Sequence, residues 1–174
     1  MNQLEIRRTL ESDVQMSFRG VDLGGGISLR QAQFADHYRD DVTNANSVSH
    51  GPREIVDDWS KVPLDELERD CIAHLDAAGF RYYIPALMLS VLNHYDSTSM
   101  RVIGTLSGLY PKKGDGWEYD MQRYSLLNHV QKTAIARFLA ALPKLVELDL
   151  ADQKIVSRAL RNYWGEYLHS DLPE

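Results

Sequence analysis

The 174-residue sequence predicts a mainly α-helical protein, one compact domain over residues 1–174 built as a bundle of about six helices. Three observations carry that reading. Apolar residues recur at intervals of three and four along most of the chain, the spacing that lines one face of a helix. Helix-start residues stand ahead of two of these runs, Ser28 with Gln31 and Asn128 with Gln131. One run, Ala86 to Tyr95, leaves almost no polar face, so it belongs at the centre of the bundle.

The first helix is marked by Ile6, Leu10, Val14 and Phe18, and Gly20 with Gly24-Gly25-Gly26 stops it. The second runs from about Leu29 to Arg39. Residues 41–58, DVTNANSVSHGPREIVDD, have turn composition and no period, and read as a long loop. Pro63 leads into a third helix, about Leu64 to Ala78, with Leu67, Cys71, Leu75 and Ala78 on its apolar stripe and Gly79 as the residue that ends it. Pro85 is a favoured first residue for the fourth, central helix. Residues 96–124 are ambiguous, and MRVIGTLSGLYP allows a short strand or hairpin around 101–120. A fifth helix follows Asn128 on the stripe Val130, Ala134, Ile135, Phe138, Leu139 and Leu142, and Pro143 ends it. A last helix spans about Asp152 to Leu168, with Val156, Ala159, Tyr163, Trp164 and Tyr167 on one side.

A net charge of −6 and a pI near 5.5 exclude a broad nucleic-acid surface, which needs clustered Lys and Arg. The charge is uneven: residues 1–100 hold 9 basic against 16 acidic residues, a net of −7, and residues 101–174 hold 10 against 9, a net of +1. The single cysteine, Cys71, excludes an intramolecular disulfide. The N-terminus has no apolar signal-type core, and the longest nearly apolar run, Tyr82 to Leu92, falls short of the ~20 residues that cross a bilayer. These features place the protein in the cytoplasm, with no membrane or nucleic-acid partner.

Signatures of common chemistries are missing. There is no phosphate-loop pattern, no HExxH, no CxxC and no GxSxG. The sequence therefore calls for no catalytic residue, no cofactor and no metal. The triglycine lacks dinucleotide-loop spacing and follows a helix, so it reads as a turn. Cys71 lies in register with Leu67 and Leu75 and reads as a small core residue rather than a nucleophile. His37 and Asp41 share a helix face and could supply two metal ligands, but no third accompanies them, and a solvated helix end explains the pair.

The most distinctive run is Gly79-Phe80-Arg81-Tyr82-Tyr83-Ile84-Pro85-Ala86, read as the link between two buried helices. Ile84, before proline, is expected to be extended and cannot cap with its side chain. The amides of Ala86 and Leu87 then need a partner: a carboxylate such as Asp36 or Asp58, or a bound anion assisted by Arg81. An unpaired guanidinium in such a link is costly, so Arg81 is expected to meet Asp36 or Asp58.

These segments resemble a family of small bacterial proteins known as a domain of unknown function. The resemblance rests on Phe18, Gly20 and Val21, on Asp36 and Tyr38, on Trp59 and Pro63, and on Gly79, Phe80, Arg81, Tyr82, Tyr83, Pro85 and Ala86. Arg19 interrupts the aromatic-glycine step, and Ile84 and Leu87 depart from the family's pattern. The resemblance implies a bacterial origin and a shared fold, and no activity.

Two functions follow as expectations. One is a protein-interaction module of the immunity type, in which a small acidic protein meets a basic partner by charge complementarity. The other is a small-ligand binder or enzyme with a pocket around Asp36, Tyr38, Trp59, Arg81, Tyr82 and Tyr83, where carboxylate, phenol and guanidinium can hold an anion and move a proton.

Overall fold

The computed structural model describes residues 2–37, 53, 57–69 and 72–169, with backbone alone for 35–37. Eight α-helices are present among them and no strand: α1 Gln3–Ser17, α2 Leu29–His37, α3 Leu64–Leu67, α4 Ala77–Asn93, α5 Met100–Gly108, α6 Trp117–Arg123, α7 His129–Leu145 and α8 Leu150–Asn162. Short 3₁₀ turns at Trp59–Lys61, Ile72–His74 and Trp164–Leu168 complete the described chain. Of the long loop expected at 41–58, only residues 53, 57 and 58 fall within the description; Cys71 and Asp41 lie outside it.

The helix starts follow from local side-chain chemistry. Asn128 accepts from the amide of Gln131 and Gln131 returns a bond to the amide of Asn128, a reciprocal cap that satisfies two free donors of α7. Ser28 and Gln31 do the same for α2, and Asn2 with Glu5 for α1. Helix α1 buries Leu10 and Val14, and Phe18 at its C-cap, on α7. In α7 the buried stripe begins at Ala134; Val130, in the first turn, is exposed, and Pro143 sits inside the last turn instead of ending the helix.

The centre of the bundle is α4, as expected, but it starts eight residues earlier than Pro85. Asp76 caps it by accepting from the amide of Gly79, so Gly79 stands in its first turn rather than after a preceding helix. The segment 79–85 is therefore helix, not a link, and Ile84 is not extended. Pro85 is interior; it lacks the amide that would reach the Arg81 carbonyl. Packing on every side compensates, because Phe80, Tyr82, Tyr83, Ile84, Leu87, Met88, Val91 and Leu92 are all buried. Helices α1, α5, α6 and α7 and the Trp59 turn pack around it. The predicted third helix is correspondingly split into α3 and a 3₁₀ turn.

Residues 101–120 contain α5 and the start of α6, not a strand or hairpin. Thr105 and Val102 favour strand intrinsically, yet α5 lays Val102, Leu106 and Leu109 against α4, and burial outweighs propensity. An aromatic cluster closes this end. Tyr124 lies 5.4 Å from Phe80, 5.6 Å from Tyr163 and 4.8 Å from Trp164, and its hydroxyl donates to the Gly108 carbonyl at 2.6 Å. Trp164 donates to the Leu109 carbonyl at 2.7 Å. The break at Tyr163, where α8 gives way to the 3₁₀ turn, lets Trp164 turn inward; the last helix is shorter than its apolar pattern suggests.

The buried charges of Glu66 and Arg101 have charged partners. Glu66 accepts from both Arg30 and Arg69, joining α2 to α3. Arg101, fully buried, donates to Glu68 and to the His94 carbonyl. Arg7 donates to the carbonyls of Leu92 and Leu145, closing the C-terminal ends of α4 and α7 with one side chain.

Candidate functional site

The residues singled out in the sequence separate into two groups. Arg81, Tyr82 and Tyr83 lie in the first half of α4, where the capping of Asp76 sets the helix phase. Tyr82 and Tyr83 are buried, with ring centroids 4.8 Å apart in an edge-to-face contact. Arg81 is partly exposed, and its Nε is buried without a hydrogen-bond partner among the described residues. Asp36 belongs to α2, with its side chain outside the description, as is all of Tyr38.

Trp59 belongs to the second group. Its Nε1 donates to the Phe18 carbonyl at 2.9 Å, which fastens the 3₁₀ turn Trp59–Lys61 to the end of α1. The turn also packs against α4. Asp58 precedes it and accepts from the amide and hydroxyl of Ser60 at 3.0 and 2.7 Å. Those two bonds, the hydroxyl's first, hold the Asp58 carboxyl below its ordinary range, so it is ionised at neutral pH. Lys61 lies 3.7 Å from it. Asp58 is thus occupied locally and is not the partner expected for Arg81, and the amides of Ala86 and Leu87, being inside α4, need no carboxylate.

Between the end of α1 and this turn an open cleft of about 680 Å³ is lined by Asp22, Asp57 and Asp58, with Arg19 as the one cation among the described residues of its lining and Trp59 in its wall. The three carboxylates do not converge on a metal: among the described residues no group of three or more His, Cys, Asp or Glu side chains is placed to hold one. Such a cleft offers a net negative, solvent-exposed surface to a cationic group. The sequence signals Trp59 and Asp58 but not Asp22, which only the return of the chain after α1 brings alongside. Sequence reasoning also misses Arg123 and the true start of α4, because both depend on how residues 72–79 and 109–124 pack.

Fold and surface define a small all-α protein with an acidic cleft and no helix long and apolar enough, among the described residues, to cross a membrane. The chain belongs to a family of unknown function, DUF6714, which it matches over residues 6–168. No curated protein and no solved structure matches it.

Proposed function

We propose that this is a protein-interaction module, working in a bacterial cytoplasm, whose acidic cleft receives a basic segment of a protein partner in the manner of immunity proteins. One observation carries the reading: among the described residues Asp22, Asp57 and Asp58 outnumber the cations beside them, Arg19 in the lining and Lys61 at 3.7 Å from Asp58, around a cleft whose wall is fixed by the Trp59–Phe18 hydrogen bond. A lysine or arginine entering there meets charge without the protein having to rearrange, which favours fast association and salt sensitivity. The test is affinity capture from the native host with wild type and with the triple variant Asp22→Asn, Asp57→Asn, Asp58→Asn as baits. Asparagine at 58 can still accept from Ser60, so the turn persists. A strongly basic protein retained by wild type, released by raised salt and lost by the variant is the expected result. Equal capture by both baits, or an acidic prey, overturns the reading.

A second reading, a small-ligand pocket or active site around Asp36, Tyr38 and Arg81, has one support: the buried Arg81 Nε has no acceptor among the described residues. A ligand of that pocket would bind wild type and not Arg81→Lys, while leaving the acidic cleft's partner unaffected.

A further inference from the structure

A cavity of about 290 Å³ opens between α5 and α6 and shares no lining residue with the acidic cleft. On the α5 side it is lined by Gly104 and Gly108, one turn apart, so no side chain from either fills the space; Ile103 and Ser107 complete that wall. The α6 side consists of Tyr119, Asp120 and Arg123, at the three- and four-residue spacing that shares a helix face. The Tyr119 hydroxyl donates to the Ala73 carbonyl, which holds this half-exposed ring in place.

The two charged groups of α6 form an ion pair that no hydrogen bond joins. Arg123 Nη1 lies 3.7 Å from Asp120 Oδ1, and both side chains are largely enclosed, 7% and 16% exposed. The same Nη1 lies 3.9 Å from the point a Cβ on Gly108 would occupy, so it stands between two residues of this cavity's lining. None of the guanidinium's donors bonds to a described residue. The rings of Tyr119 and Phe80, 4.9 and 5.8 Å away, face it without using those donors. Burial, the largest influence on Asp120, raises its carboxyl above the ordinary range, against the pull of Arg123 and of the Lys112 amide. An enclosed pair recovers its desolvation cost only when further hydrogen bonds fill the capacity left over, and here both poles keep such capacity.

We infer that this cavity binds a small zwitterion, an α-amino acid with an apolar side chain, which bridges the Asp120–Arg123 pair. Its carboxylate accepts from the Arg123 guanidinium and its ammonium donates to the Asp120 carboxylate. The two ends of an α-amino acid leave one carbon through bonds of about 1.5 Å each, a separation that suits poles 3.7 Å apart. A ligand with a single charge is attracted by one pole and repelled by the other, so the pair selects for a ligand that carries both. Ile72, Ile103 and the Tyr119 ring supply the apolar lining for its side chain.

L-Leucine and L-phenylalanine are the probes, titrated into the full chain with amide chemical shifts as the readout. Each is run beside the two analogues that lack its ammonium or its carboxylate. At least one amino acid should shift the amides of Ser107, Gly108 and Asp120, with both of its analogues weaker by about tenfold or more, the usual worth of a charged hydrogen bond. Asp120→Asn, nearly the same shape without the charge, should weaken the amino acid by a similar factor. Ser107→Trp, at an exposed position where folding is not at stake, sets an indole across the cavity and should weaken it as well. Failure of both amino acids to move the three amides at about 10 mM overturns the inference. So does an analogue that binds within about twofold of its parent, or binding by Asp120→Asn within about twofold of wild type. If that variant does not fold, unchanged binding by Ser107→Trp overturns it instead.

Discussion

Replacing Glu66 by glutamine tests how much one ionised side chain holds α2 onto α3. Both carboxylate oxygens accept twice: Oε1 from Arg30 at 2.6 Å and Arg69 at 3.2 Å, Oε2 from Arg30 at 3.2 Å and Arg69 at 2.7 Å. The carboxyl is 10% exposed and is held down at about 2, first by the Arg30 hydrogen bonds and next by those of Arg69. An unfolded glutamate titrates near 4.5, so the difference is worth ~3 kcal/mol. Arg30 is 44% exposed, and screening through it brings the expected contribution to ~2 kcal/mol. Because the folded value is the lower one, this stability is complete above the unfolded value and is lost as pH falls toward the folded value. At pH ~3 it should already have dropped to roughly two fifths of its neutral value. Glu66→Gln should therefore melt about 4–8 °C below wild type at pH ~7. Urea melts of both proteins between pH ~7 and ~3 should show the gap narrowing. A gap that is absent at neutral pH, or that stays constant down to pH ~3, would show that the four bonds do not carry the charge-dependent stability assigned to them.

Two further substitutions probe the packing around α4 and α8. At Gly79 an added Cβ would lie 2.4 Å from the Ile27 carbonyl oxygen, a backbone atom that cannot step aside, so Gly79→Ala should cost about 2–3 kcal/mol in urea melts. Asp152 accepts from the Tyr95 hydroxyl at 2.7 Å, and burial, its largest influence, raises its carboxyl above the ordinary range. Its charged form is thus disfavoured in the fold, and stability is lost as pH rises through the folded value. Asp152→Asn keeps an acceptor for Tyr95 and should match or exceed wild-type stability at neutral pH, with the advantage shrinking in acid; a neutral-pH loss above ~1 kcal/mol would contradict this.

Where the fold was legible, a short stretch of sequence held the whole signal. Asn128 and Gln131 satisfy one another whatever lies elsewhere in the chain, and the stripe Leu10, Val14, Phe18 needs only a covering surface. The start of α4 was misread for the opposite reason. Gly79 and Pro85 carry strong punctuation that fits a helix end and a helix start, yet both are inside one helix. The glycine is there because Gly26 and Ile27 come against it: a Cβ on Gly26 would stand 2.8 Å from the Gly79 nitrogen. That requirement joins residues far apart in sequence and leaves no local trace. The proline is tolerated because α4 is enclosed on all sides, again a tertiary fact. Of the candidate site, Trp59 stood out by type, whereas the carboxylate of Asp22 and the guanidinium of Arg123 take their meaning only from what the fold sets beside them.

Helix α1 depends on a partner that the chain supplies late. It packs on α7, and Arg7 reaches the Leu145 carbonyl, 138 residues further along. During synthesis α1 leaves the ribosome well before α7, and its cover is complete only when residue 145 has emerged. Until then α1 has only α4 and the Trp59 turn as native neighbours, so its cover stays incomplete and the bundle closes around it only once α7 is made. Protease resistance of α1 in ribosome-stalled chains should accordingly begin only with lengths that expose all of α7, and its early appearance would mean that some other surface shelters the helix in the meantime.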